Sequence, residues 1–324
     1  RRDLRAGRLQ RVTAALAAFG RHVARALVQV VPVLFGISLL VFLVVHFIPG
    51  DPAVIAAGLE SSPEVVERIR TELGLDLPLH QQFWRFLSGA VQGDLGESIR
   101  TGRPVAQEIV ERFPHTFRIA LGGTLLAALL GLLVGVTAAI HHNRLWDNLI
   151  MVLTLVAVST PSYWLALMLM LLFSLELRLL PSIGVGTPLH YVLPILTLGM
   201  QSAGLIARMT RSTMLEVLRQ EYIRTARAKG LVEVVVVYKH ALRNTLIPIV
   251  SLIGLRFGGL LAGTVLVESV FAIPGMGRMI VEAVLNRDFP LLQGSVLVVA
   301  TVFVLTNLLV DLVYAIVDPR LRTA

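Results

Sequence analysis

The sequence predicts an all-α, polytopic membrane bundle of six transmembrane helices with a small helical insertion on the outer side. Three observations carry that prediction. The 324 residues have a mean hydropathy of +0.76 and only 15% charged side chains, where a soluble globular chain has about 25%. Charge-free runs recur at the length, about 20 residues, that crosses roughly 30 Å of hydrocarbon. Arg and Lys are crowded into particular connecting segments, which sets a sidedness.

The charge-free runs are Ala26–Val45, Leu121–Ile140, Leu149–Leu175 and Leu189–Ala207. Two further spans carry rare charges: Leu246–Phe271 contains Arg256 and Glu268, and Leu291–Ile316 contains Asp311. The first run is too long for the apolar part of a signal peptide and lacks a small-residue cleavage site, so it reads as a retained anchor. Segment 1–25 holds seven Arg, and loop 208–245 holds six Arg and two Lys against three Glu. Positive charge stays on the cytoplasmic side, so both are expected there. Segment 51–112 holds six Arg against ten Asp or Glu and is expected outside. Six spans then leave both termini cytoplasmic.

The expected organisation is a cytoplasmic or interfacial segment 1–25, a first transmembrane helix 26–48, an extracytoplasmic helical insertion 49–112, and a bundle of five helices over 113–324 that includes loop 208–245. The basic, Ala/Leu-rich first 20 residues read as an interfacial amphipathic helix. In the insertion, Ser61 or Ser62 before Pro63 is an N-cap, and Val65, Val66, Ile69 and Leu73 recur at helical spacing up to Gly74. Further short helices are expected over Leu79–Val91, where Phe83, Trp84 and Leu87 share a face, and over Pro104–Arg112. The "GDLGES" at 93–98 between them is turn chemistry.

Catalytic chemistry is mostly excluded. The absence of Cys rules out disulfides and thiolate sites. A Walker A phosphate loop needs Gly-Lys-Ser/Thr, and the only lysines, Lys229 and Lys239, do not follow a glycine. Neither an HExxH nor a GxSxG motif occurs. His141 and His142 are adjacent, so on a helix they point about 100° apart, a poor ligand pair. The +8 net charge is distributed by membrane side rather than in a nucleic-acid-binding patch. "GMG" at 275–277 reads as a turn at a span end.

An intramembrane charge is expensive and needs a partner or a wet cavity. Arg256 and Asp311 lie at comparable depths, so they either pair or line a cavity. Glu268 is placed near the outer end of its span, where it either reaches water or occupies a gate position. Gly131 and Gly135, Gly254 and Gly258, and Gly259 and Gly263 are small-xxx-small pairs that let helices approach, within one bundle or at a dimer face.

The most basic stretch between apolar spans is 221–244, "EYIRTARAKGLVEVVVVYKHALRN". Leu215, Leu218, Tyr222 and Ala226 form an apolar stripe, which predicts one amphipathic helix from Leu205 to Lys229. Gly230 caps it. The "VEVVVV" at 232–237 has strand propensity, yet a lone strand would have no partner, so it is assigned as helix. A helix, a glycine turn and a second helix make a cytoplasmic knob shaped to dock into another protein.

"EYIRTARAKG" followed by "HALRNTLIP" resembles the EAA loop of permease subunits in bacterial ABC importers, closest to the dipeptide, oligopeptide, nickel and glutathione branch. "IPGDP" at 48–52, "QGDLGES" at 92–98, "RTGRPV" at 100–105, "VFAIPGMGR" at 270–278 and "DPRLR" at 318–322 are similar to that branch in the same order, from about residue 21 to the C-terminus. In place of the general motif's Glu-Ala-Ala, Arg224 and Thr225 precede Ala226, and His240 to Arg243 stand where Ile-x-Leu-Pro would be. These departures are themselves similar to the peptide and nickel branch. The resemblance implies a type I importer permease fold in the bacterial inner membrane, importing peptides, with glutathione or nickel as alternatives. It implies a second permease subunit, two ATPase subunits that bind the ATP, and an external binding protein, with no cofactor on this chain. It further implies that Tyr222, Arg224, Thr225, Ala226, Gly230 and Glu233 couple the chain to the ATPase. The alternative reading is a secondary transporter with a regulatory loop, for which an internal repeat would be expected. None is visible between spans 1–3 and 4–6.

Overall fold

The computed structural model describes residues 28–47, 51–58 and 61–317. The expected interfacial helix over 1–20 and the "DPRLR" segment lie outside the described residues. Helix α1 (Val28–Phe47) is followed by short helices α2 (Pro52–Ala57), α3 (Pro63–Glu72) and α4 (Leu79–Gln92). Helices α5 (Val105–Ile140), α6 (Leu145–Ser159), α7 (Ser162–Met170), α8 (Val192–Leu218), α9 (Glu221–Ala228) and α10 (Glu233–Val235) come next. Helices α11 (Leu242–Gly263), α12 (Val265–Val270), α13 (Met276–Leu285) and α14 (Phe289–Val317) complete the described residues. No strand occurs among the described residues; one isolated bridge joins Glu97 and Pro104. Among the described residues, five helices are long and apolar enough to cross a membrane, and six spans result if the bent pair α6–α7 counts as one.

The insertion folds largely as its sequence implies. Extended Ser62 precedes Pro63 at the start of α3, and Gly74 ends it at φ +69°. Phe83 of α4 is buried against α1, with ring centroids 5.7 Å from Phe35 and 5.4 Å from Phe42. Trp84, though more than half exposed, lies on the same side, its ring 6.3 Å from Phe35 and 5.7 Å from Phe83. The irregular 93–104 loop is pinned from across the chain by buried Asp288. Its carboxylate accepts the Ser98 hydroxyl and the N–H groups of Ile99 (3.2 Å), Arg100 (3.3 Å) and Leu291 (3.2 Å).

Four expected boundaries move. The short helix expected over Pro104–Arg112 and the span over Leu121–Ile140 are one helix of 36 residues, α5. Pro114 deletes one backbone donor but does not end it, and polar Arg112, His115 and Arg118 extend the helix beyond its apolar part. At 1.5 Å per residue α5 is about 54 Å long, so it stands well clear of a 30 Å core. The span expected over Leu149–Leu175 is broken: α6 and α7 meet at 101°. Pro161 holds Thr160 extended (φ −75°, ψ 125°), because the proline ring excludes the helical region for the residue before it. The span expected to Phe271 ends at Gly263, with α12 set off by Thr264. The helix expected from Leu205 to Lys229 stops at Leu218, where Gln220 turns extended (φ −69°, ψ 148°) before α9.

Helices α5 and α8 form the main packed pair, running between an end that carries the insertion and an end that carries the 219–241 loop. Close approach explains two of the glycine pairs. A Cβ on Gly135 would stand 2.5 Å from Ala207 O of α8, and one on Gly254 would stand 2.2 Å from Val310 of α14. Gly259 faces open space, and Gly263 lies outside the described side chains.

Candidate functional site

At the loop end, α9 lies across the bundle on Ile223 and Ala226. Ile223 is fully buried and Ala226 is 9% exposed, packed with Val136 and Ala139 of α5 and Met214 of α8. Gly230, at φ +77°, closes α9: its N–H donates to Arg227 O (2.9 Å) and that of Leu231 to Ala226 O (3.4 Å). This left-handed closure is cheap only for glycine. Across the turn the Arg227 guanidinium grips Glu233 through Nη2 (2.6 Å) and Nε (3.1 Å). The hydrogen bond to that carboxylate raises the Arg227 pKa above its ordinary value.

The valine run is helical. It begins as α10 and passes through a π turn, Val236–Ala241, into α11. Val236, Val237 and Ala241 face inward, while Val232 (65% exposed) and Val234 (67%) face out with Leu231 and Tyr238. Asn244 donates to the Tyr222 hydroxyl (2.7 Å), tying α9 to α11. Arg224 pairs with Glu221 (2.9 Å), and the Thr225 hydroxyl donates back to Glu221 O (3.0 Å). Tyr222, Arg224, Thr225, Gly230 and Glu233 thus share one exposed knob, whereas Ala226 is part of its seat. The sequence reading misses Ile223 because it counts the stripe straight through the break at Gln220, and misses Leu231 and Tyr238 because they lie beyond the Gly230 cap.

Beneath the knob, Arg211 of α8 holds buried Asp147 in a two-pronged pair, Nε to Oδ1 and Nη2 to Oδ2, both 2.6 Å. Asn143 N–H donates to the same carboxylate (3.0 Å), and His142 Nδ1 lies 3.3 Å from it. His141 instead lies against Thr137 O (2.9 Å), so the two histidines part as their adjacency implies.

At the insertion end, Glu268 overturns the expectation that it reaches water. It is fully buried, accepting the hydroxyls of Thr116 (2.6 Å) and Thr264 (2.7 Å) and the N–H of Arg278 (3.0 Å). Arg278 N–H is in the first turn of α13, so the carboxylate caps that helix and meets its positive end. Met276 N–H donates to Thr116 Oγ1 (2.8 Å). The "GMG" stretch is therefore the start of a helix rather than a turn ending a span. Beside it opens a cleft of about 580 Å³, lined by Arg103, Arg112, His115, Arg278 and Glu282 among others. Arg112 and Arg278 both donate to Glu282, at 2.9 and 2.8 Å.

Asp311, expected to pair with Arg256, has its side chain outside the described residues. Arg256 itself is exposed on α11.

Comparisons with known proteins agree with this architecture. Residues 131–323 match the family model of the binding-protein-dependent transport system inner membrane component, and residues 19–120 match the model of its N-terminal part. The chain is 46% identical over 301 residues to a glutathione transport system permease protein GsiC of Escherichia coli O6:H1, covering 93% of this chain and 98% of that protein. It is 47% identical to the GsiC of Pectobacterium atrosepticum, covering 91% and 97%. The MetNI methionine ABC transporter, solved in inward-facing conformations, has a similar fold, with a TM-score of 0.56 at 19% identity over 65% of this chain and 96% of that one. Family models over most of the chain and relatives aligned over nearly all of it lead to one conclusion: the chain belongs to the binding-protein-dependent transport system inner membrane components and is an ABC importer permease of the dipeptide/glutathione branch.

Proposed function

We propose that this permease forms half of a translocation path for glutathione or a similar short peptide. In this reading it pairs with a second, homologous permease subunit. An external binding protein delivers substrate at the insertion end, and two ATPase subunits bind at the loop end, which is cytoplasmic. The observation that carries the reading is the two-faced 219–241 knob. Its inner face (Ile223, Ala226, Val236, Val237) is fixed to α5 and α8, and its outer face offers Leu231, Val232, Val234 and Tyr238 to a partner. A rigid seat under an exposed apolar face transmits a push into the bundle, and an ATPase can switch the bundle only through contacts that differ between its states. The strong positive balance of loop 208–245 supports its cytoplasmic side, and the names of the relatives support glutathione over nickel.

The test is co-expression with the neighbouring ATPase, permease and binding-protein genes, followed by purification through a tag on this chain. The ATPase subunits should co-purify with the wild type and be lost from Val234→Asp and Leu231→Asp, which change only exposed side chains. Retention of the ATPase by both variants, with the second permease present, would refute the knob as the docking element.

A further inference from the structure

Arg256 is the single charged residue between Arg243 and Glu268, thirteen positions past one and twelve before the other. At 1.5 Å per residue that is about 20 Å from Arg243, deep in the longest apolar part of the fifth span. Its direction follows from its neighbours. Gly254 and Gly258 carry the contact with α14, touching Val310 and Phe303. Arg256 is two residues from each and so about 200° around the helix, pointing away from α14. Phe257 is covered by Phe117 of α5, their centroids 6.0 Å apart. What remains open is a strip holding Leu255 (57% exposed), Arg256 and Gly259, where an added Cβ would meet nothing within 4 Å.

A guanidinium on an uncovered face at mid-membrane depth is strongly disfavoured against lipid, and such residues almost always face the interior of the assembled bundle or a water-filled cavity. Extending the transport reading above, we propose that the Arg256 strip lines the conduit and that the guanidinium receives a carboxylate of the peptide in passage. Its planar fork matches a carboxylate with two parallel N–H donors. Gly259, one turn away, leaves space for the ligand backbone beside it. The site selects substrates by negative charge at one end and sets affinity within the path rather than ATP turnover.

The chain has no cysteine, so Arg256→Cys and Gly259→Cys can be read alone in the assembled complex in liposomes. A charged, membrane-impermeant methanethiosulfonate should modify both, detected by the mass of this chain, in at least one of the ATP-bound and nucleotide-free states. In Gly259→Cys, which keeps Arg256, millimolar trialanine or S-methylglutathione should slow modification several-fold. Trialanine amide, which lacks the carboxylate, should not. For uptake of a peptide carried by the wild type, Arg256→Lys, which keeps the charge but not the fork, should fall between wild type and Arg256→Gln. Arg256→Gln should raise the KM roughly tenfold. No modification of either cysteine in either state overturns the conduit position. Equal protection by trialanine and its amide, or a wild-type KM in Arg256→Gln, overturns the carboxylate role. Failure of the wild type to take up glutathione would strike only the substrate named above, because labelling and trialanine protection do not depend on it.

Discussion

Glu268 and Gly275 compete for one volume: a Cβ on Gly275 would stand 2.3 Å from the Glu268 carboxyl carbon. Residue 275 must be glycine for steric reasons, since its φ of −100° is open to any residue. Gly275→Ala is therefore expected to lower the unfolding temperature of the detergent-purified chain sharply. Glu268→Ala strands two hydroxyls and the Arg278 N–H, a loss on the order of 3 kcal/mol. The double variant should lose less than the sum, because removing the carboxylate vacates the space the new methyl needs. Additive losses would mean the two residues do not share that space. Glu268→Gln should be milder than Glu268→Ala, because both threonine hydroxyls can rotate to accept while only Arg278 N–H needs the remaining oxygen.

The Arg211–Asp147 pair is a second fixed point, joining the first turn of α6 to α8. Asp147 is buried and its two oxygens are held at 2.6 Å. Breaking such a pair from one side leaves an uncompensated buried charge and costs about 3–5 kcal/mol. Asp147→Leu and Arg211→Met should each destabilise by about that much. Asp147→Leu with Arg211→Met should be less destabilised than either single variant, since neither charge is left behind. A thermal double-mutant cycle without that recovery would show that the pair does not act as one unit.

These two knots mark the boundary of what the sequence discloses. The bundle, its spans and the two ends of α3 follow from local rules: hydropathy, Ser62 before Pro63, and Gly74. The break at Pro161 was not seen because an apolar run counts side chains and says nothing of the backbone angle a proline imposes on Thr160. Glu268 was misplaced because its depth was judged from the end of an assumed straight helix. The chain instead breaks at Thr264 and folds α13 back over the carboxylate. A signal was present, in Pro274 and the two glycines close behind a lone carboxylate, but it becomes legible only when glycine is read as room for another residue's atoms. In the 219–241 loop the cap and the helical valine run were readable, while the inward turn of Ala226 was not, because it depends on where α5 and α8 end.

Glu282 gives the cleft a pH dependence. Partial burial pushes its carboxyl upward, but hydrogen bonds from Arg112 and then Arg278, with their charges, outweigh burial and leave it below its ordinary value of 4.5. A depressed folded-state pKa contributes stability above the unfolded value, and that contribution disappears as pH falls through the folded one. Wild type should therefore unfold at a higher temperature than Glu282→Gln at pH 7, with the gap closing below about pH 4.5. Both arginines keep their charge throughout, so a gap that widens on acidification would contradict this assignment. The effect should be small and shrink in high salt, because the carboxylate is partly exposed.

The Arg227–Glu233 pair spans the Gly230 turn and fixes how the exposed valines are presented. Both side chains are solvent-exposed, so the pair should contribute under about 1 kcal/mol to folding. If the knob docks an ATPase as proposed above, the pair's effect on uptake should be larger, because it bridges α9 and α10 across the turn. Arg227→Glu and Glu233→Arg are each expected to leave the unfolding temperature nearly unchanged while lowering ATP-driven uptake several-fold. The exchanged variant carrying both should recover most of it, since the bridge re-forms with its charges reversed. Gly230→Ala is a separate control: its left-handed conformation costs a non-glycine residue about 1–2 kcal/mol, which should appear in stability as well as uptake. If the exchanged variant is as impaired as the singles, the partner reads the individual charges and the bridge is not what orients the knob.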